Sequence, residues 1–145
     1  MSDDLLALEN QVCFGLAVAA RSVIALYRPV LEPLSLTHPQ YLVMLALWER
    51  DPRSLKDLSE TLQLEPATLS PLLKRLESVG YVERKRSTAD ERSLEVTLTP
   101  EGRALRAEAE SIPHRIVERL GLPMADLENL RSSLHAIISA AVRTP

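Results

Sequence analysis

Apolar residues recur at helical spacing from Leu5 to Leu31: Leu5, Leu8, Val12, Leu16, Ala19 and Ala20, Val23, Leu26 and Tyr27, and Val30. The spacing predicts a long helix with one buried face, kinked at Pro29, where a backbone donor is missing. Glu32 to Pro39 carries two prolines and reads as a connection. Gln40 to Arg50 is apolar on nearly every side through Tyr41, Leu42, Val43, Met44, Leu45, Leu47 and Trp48, the pattern of a buried helix. Asp51-Pro52 closes it.

Two shorter helices follow. Ser54 with Asp57 three residues on forms an N-terminal cap for a helix to about Leu62. A break at Gln63 to Pro66 leads into a second helix from Ala67 to Val79, stopped by Gly80. Pro71 is placed a turn inside this helix, because the turn before Pro66 is the better entrance. Period-two alternation then marks the only strands. Leu94, Val96 and Leu98 alternate with Ser93, Glu95 and Thr97, so Tyr81–Arg86 and Ser93–Thr99 are expected to pair as a hairpin. Its polar tip is Ser87-Thr88-Ala89-Asp90-Glu91-Arg92. Thr99-Pro100-Glu101 caps a helix running to about Leu120, with a bend at Pro113. After the break at Gly121-Leu122-Pro123, Leu127, Leu130, Leu134, Ile137 and Ala141 form a seam of coiled-coil spacing.

The 145 residues are 46% hydrophobic, with five aromatic side chains and four glycines, so one aliphatic, mainly helical core is expected. The single cysteine, Cys13, excludes an intrachain disulfide and a multi-cysteine metal site, and no cofactor or metal is expected. The acidic start and the longest uninterrupted apolar run, Tyr41 to Trp48, suggest neither a signal peptide nor a membrane span. A cytoplasmic protein is the expectation.

The order helix, turn, helix, hairpin between Ser54 and Thr99 is that of a winged helix-turn-helix. Ala67, Thr68 and Ser70 open its second helix, where small and hydroxyl-bearing side chains allow close approach to bases and phosphates. Lys74 and Arg75 follow one turn later, and Arg84, Lys85, Arg86 and Arg92 line the hairpin. The formal net charge is -3, yet Lys74 to Arg92 holds six basic and four acidic residues, a local +2. The remainder carries -5. Positive charge therefore gathers where such a motif would meet DNA.

Leu72-Leu73-Lys74-Arg75-Leu76-Glu77-Ser78-Val79-Gly80-Tyr81-Val82-Glu83-Arg84, Asp90-Glu91-Arg92-Ser93 and Leu98-Thr99-Pro100-Glu101-Gly102 resemble the MarR family of dimeric winged-helix regulators. Leu8-Glu9-Asn10-Gln11-Val12-Cys13-Phe14, Tyr27-Arg28-Pro29-Val30-Leu31 and Thr37-His38-Pro39-Gln40-Tyr41-Leu42 are similar to the organic hydroperoxide resistance regulators within it. The resemblance implies a single domain over residues 1–145, with dimerisation helices at about 5–32 and 101–143 and a DNA-binding region at about 40–99. It further implies a homodimer on a palindromic duplex, a recognition helix bearing Thr68 and Ser70, and Arg92 at the minor groove, oriented by Asp90. Cys13 becomes a peroxide sensor, with Tyr27 and Tyr41 as thiolate partners. Where the best-known members carry another tyrosine, this chain has His38, either a further donor to the thiolate or a helix-cap residue.

Chemistry limits that sensor. Taken alone, a cysteine between Val12 and Phe14 is more often a small core residue. No lysine or arginine lies within a helical turn to favour its thiolate, which is the reacting form. Cys13 and Tyr27 are 14 residues apart, about 21 Å along one helix, so a contact between them requires the other subunit. With no second cysteine, sulfenic acid at Cys13 is expected to be trapped by a small-molecule thiol, to cyclise, or to overoxidise. The competing expectations are a regulator of the same fold answering a non-covalent aromatic or lipophilic ligand, a thiol peroxidase, and a protein-interaction module with a degenerate helix-turn-helix.

Overall fold

A computed structural model describes residues 4–86 and 93–143; the hairpin tip, with Asp90 and Arg92, lies outside the described residues. The chain divides into two compact units, Met1–Glu110 and Ser111–Pro145.

The first unit opens on a single 3-10 turn, Leu8–Asn10, and helix α1 starts only at Val12 (Val12–Leu31). The expected start at Leu5 is therefore too early. Gln11 is extended at φ -91° and ψ 117°, and its side-chain amide donates to the carbonyls of Leu5 and Ala7. That wraps the preceding segment back on itself and stops the helix from propagating backward. At its other end α1 runs through Pro29 and passes into a 3-10 turn, Glu32–Leu34.

Helix α2 (His38–Glu49) begins two residues before the expected Gln40, because Thr37 caps it. The Thr37 hydroxyl accepts from the Gln40 N–H while the Gln40 side chain accepts from the Thr37 N–H, so both orphan donors are satisfied. Val43, Met44 and Leu47 are buried along α2, which forms the centre of the unit's core. Helices α3 (Leu55–Leu62) and α4 (Pro66–Val79) follow as read, with Pro71 inside α4 and Gly80 in the left-handed region at φ 98°.

Strands β2 (Val82–Arg86) and β3 (Leu94–Leu98) form the hairpin, Val82 opposite Leu98 and Arg84 opposite Val96. Val96 and Leu98 are buried, as their alternation requires. A third strand, β1 (Arg53–Ser54), pairs antiparallel with β3 and completes a sheet of order β1-β3-β2. Helix α5 (Pro100–Ala109) is capped by the Thr99 hydroxyl, which accepts from the Gly102 N–H.

Gly102 is the joint of this unit. Its carbonyl accepts from Trp48 Nε1 at 2.9 Å, and a Cβ built on it would stand 2.1 Å from the Tyr81 carbonyl oxygen. Tyr81 in turn donates its hydroxyl to the Leu34 carbonyl at 2.7 Å, joining the base of the wing to the turn between α1 and α2.

The second unit holds α6 (Ile112–Leu120) and α7 (Met124–Arg143). The helix expected to run from the Thr99-Pro100-Glu101 cap to about Leu120 is thus broken at Glu110–Ser111. Pro113 has no N–H for the carbonyl of Ala109, so the hydrogen-bond ladder is interrupted. Along α7, Leu127 and Leu134 are half-buried, whereas Leu130, Ile137, Ile138 and Val142 are exposed.

Candidate nucleic-acid interface and thiol site

Helix α4 is two-faced. Leu69, Leu73 and Leu76 are buried, which turns Ala67, Thr68, Pro71, Lys74, Arg75 and Ser78 to solvent. Ser70 lies on the boundary, half-buried. The turn that sets this helix is tight. Gln63 adopts φ 53° and the Leu64 N–H returns to the Ser59 carbonyl, while the Ser59 hydroxyl donates to the carbonyl of Leu64. Behind it, the 6% exposed Arg53 bonds to the Arg50 carbonyl, Asp57 and Thr61, fixing β1 to α3.

The wing's basic residues are arranged less freely than their sequence suggested. Arg84 is half-buried, and its guanidinium meets Glu77 at 3.0 Å while its backbone N–H donates to the same carboxylate. Lys85 stands 3.4 Å from Glu83, both exposed, and Arg86 is exposed at the end of β2. The Glu77–Arg84 pair ties α4 to β2 and fixes the angle between helix and wing. Spacing of seven residues across a turn hid it from a reading based on helical periodicity.

The Arg84 hydrogen bond holds the Glu77 carboxyl below the ordinary glutamate range. A depressed folded value means the pair stabilises fully above the unfolded glutamate pKa, about 4.3, and is lost as pH falls below it. Glu77→Ala is expected to lower stability by about 1 kcal/mol or less at pH 7, as for other exposed pairs. Urea denaturation at pH 7 and pH 3 checks this: the difference between variant and parent should close at pH 3. An equal difference at both values would contradict the assignment.

Tyr27, His38 and Tyr41 converge although they come from two helices. Ring centroids are 4.8 Å apart for Tyr27–His38, 5.8 Å for Tyr27–Tyr41 and 6.4 Å for His38–Tyr41. His38 is the first residue of α2, so it is both a helix-start residue and a member of the cluster. Burial raises the Tyr27 and Tyr41 hydroxyls and lowers His38. At neutral pH the cluster therefore offers two protonated phenols and a neutral imidazole, not an imidazolium.

Cys13 is free and exposed at the opposite end of α1. It is not a core cysteine of this unit. Helix α1 is apolar but uncovered along this length: Phe14 is 41% exposed, Val18 37% and Ile24 42%. Val12–Leu34 is even long and apolar enough, by length and composition, to cross a bilayer. Arg21 and Arg28 divide the stretch, so no uninterrupted apolar run marks it in the sequence. A 270 Å³ cavity at the cluster's edge is lined by Ile24, Arg28, Glu32, Leu36, Thr37, His38 and Pro39. Among the described residues, no three His, Cys, Asp or Glu side chains gather as metal donors.

Residues 25–109 match the family model described as transcriptional regulator SarA/Rot. Over 93% of its length the chain is 41% identical to the organic hydroperoxide resistance transcriptional regulator of Bacillus subtilis strain 168, covering 92% of that protein. The structure of reduced AbfR bound to DNA superposes with a TM-score of 0.78 at 32% identity, covering 99% of this chain and 100% of that one. AbfR, from Staphylococcus epidermidis, is also known overoxidised on DNA and with a disulfide formed. BpsR of Bordetella bronchiseptica, whose DNA binding is regulated by 6-hydroxynicotinic acid, superposes with a TM-score of 0.76 at 26% identity, covering 93% of this chain and 95% of that one.

Proposed function

Since the chain belongs to the MarR/SarA-type winged-helix regulators, it is a DNA-binding transcriptional regulator and not an enzyme, and we propose that it senses organic hydroperoxides through Cys13. The observation that carries this reading is the separation of an exposed thiol from its cluster of hydroxyl and imidazole donors along a single helix with an uncovered apolar face. A second copy laid against α1 in the opposite direction covers that face. It also brings its own Cys13 toward Tyr27, His38 and Tyr41. The functional unit is accordingly a cytoplasmic homodimer on a palindromic operator, acting as a repressor. Covering by a second copy, rather than by lipid, accounts for the apolar length of α1.

In the sensing step the thiolate sulfur attacks the terminal oxygen of the hydroperoxide. The O–O bond breaks, sulfur is oxidised to sulfenic acid, and the departing alkoxide takes a proton to leave as alcohol. Tyr27 and Tyr41 retain their protons and donate hydrogen bonds to the thiolate, with His38 a third, uncharged donor. A small-molecule thiol then condenses with the sulfenic acid, releasing water and leaving a mixed disulfide. The adduct's bulk at a packed helix pair shifts the two α4 helices away from the half-site spacing of about 10–10.5 base pairs. In the reduced, DNA-bound dimer Thr68, Ser70, Lys74 and Arg75 meet bases and phosphates, and Lys85 and Arg86 meet the backbone. Arg84 acts by holding the wing.

Titrating operator binding with cumene hydroperoxide in the presence of a low-molecular-weight thiol tests the reading. Wild type is expected to release DNA near one equivalent per subunit, with the mass of one thiol adduct on Cys13. Cys13→Ser is expected to stay bound. Equal release by the serine variant would assign sensing to another group, and a non-covalent ligand at the Ile24–His38 cavity would then be the better account.

A further inference from the structure

Pro71 stands at the sixth position of α4, on the exposed face, in a helix that continues to Val79. A prolyl nitrogen carries no hydrogen, so the Ala67 carbonyl, four residues earlier, lacks the donor that every regular helical carbonyl has. Ala67 and Pro71 are both exposed, and they bracket this carbonyl on the solvent side. The Pro71 ring stands against the oxygen where the missing N–H would be, so a new donor has to approach from the solvent side. Lys74, three residues on, extends the same face. A carbonyl in this state is satisfied by water in the free protein. Once the face is pressed into a groove and dried, it needs a donor or pays the cost of burial unpaired.

We propose that the main-chain carbonyl of Ala67 reads a base directly, accepting a hydrogen bond from the exocyclic amine of an adenine or cytosine in the major groove. Those amines are the donors that bases present there, and the first turns of a recognition helix are the part that reaches base edges. Pro71 is thereby a specificity-determining residue through the donor it lacks. The inference rests on α4 being the helix that enters the groove.

The experiment selects duplexes from a random library with the full-length protein, then removes single amines from the selected site, using purine for adenine and 2-pyrimidinone for cytosine. Wild type is expected to lose about three- to tenfold in affinity at one amine per half-site. Pro71→Ala restores the N–H that bonds Ala67, and Pro71→Val restores it while keeping apolar bulk. Both are expected to bind with no loss on deleting that amine, while preferences elsewhere in the site persist. The same loss in all three proteins, or no amine-sensitive position in wild type, overturns the proposal. Lys74→Ala distinguishes failure of the carbonyl contact from failure of α4 to enter the groove. If it leaves affinity and its salt dependence unchanged, α4 does not face DNA and both readings fall. If it weakens binding uniformly while Pro71→Ala behaves as wild type, the carbonyl reading alone falls.

Discussion

Gly102→Ala is expected to destabilise the protein more than any other single-methyl change in the first unit. The added Cβ would stand 2.1 Å from the Tyr81 carbonyl oxygen and 3.0 Å from its carbon. Neither is the end of a flexible side chain. The Tyr81 carbonyl is held by the Thr99 N–H, and the Thr99 hydroxyl donates to the Gly80 carbonyl, so the wing base has no slack on that side. Nor can Gly102 retreat, because its N–H is committed to the Thr99 cap and its carbonyl to Trp48. Overpacking of this kind costs about 1–3 kcal/mol where side chains can yield; here backbone faces backbone, and about 3 kcal/mol or more is expected. A thermal melt should show Tm lowered by on the order of 10 °C. An unchanged Tm would mean that α5 and the wing are not packed as described.

The second large effect concerns assembly. Val18 lies on the exposed apolar side of α1, so Val18→Asp introduces no charge into the core of a single chain. If two copies pair along α1, it buries two like charges near the centre of their contact. Sedimentation should then find a monomer where wild type is a dimer. DNA binding reports the same event independently. Two linked reading heads on a palindrome gain about 10²- to 10⁴-fold over one through effective concentration. Wild type should prefer a duplex with two half-sites over one by that order, and the variant should lose most of the preference. A variant that remains dimeric, with the preference intact, would place the interface elsewhere.

The helix-turn-helix and hairpin were legible because they rest on local signals: the Ser54 cap, three leucines at spacings of four and three on α4, Gly80 as a stop, and alternation in β3. Features that depend on distant partners were not. Strand β1 is two residues long and exists through pairing with Val96 and Glu95. The start of α1 is decided by the Gln11 side chain, which reaches back past the residues whose periodicity invited a longer helix. At Ser111 and Pro113 the expected bend is a break, since a missing donor interrupts the ladder whatever the apolar spacing says. Gly102 gave no warning in composition; only the closeness of Tyr81 explains it. At the candidate site, the convergence of Tyr27, His38 and Tyr41 followed from the family resemblance and not from spacing. The pairing of Arg84 with Glu77 is invisible in sequence, because Arg84-Lys85-Arg86 presents itself as a run of positive charge and the partner lies on another element.

The Tyr81–Leu34 hydrogen bond has a mechanical consequence. It spans 47 residues of sequence, yet joins the base of the wing to the corner from which α1 departs. With that corner tied to the wing, the turn after α1 cannot shift without straining a bond to the hairpin base, and in the sensing scheme proposed above this is the shortest path from the Cys13 helix to the wing. Tyr81→Phe, which removes that one bond, is expected to loosen the wing base from α1 while leaving both elements folded.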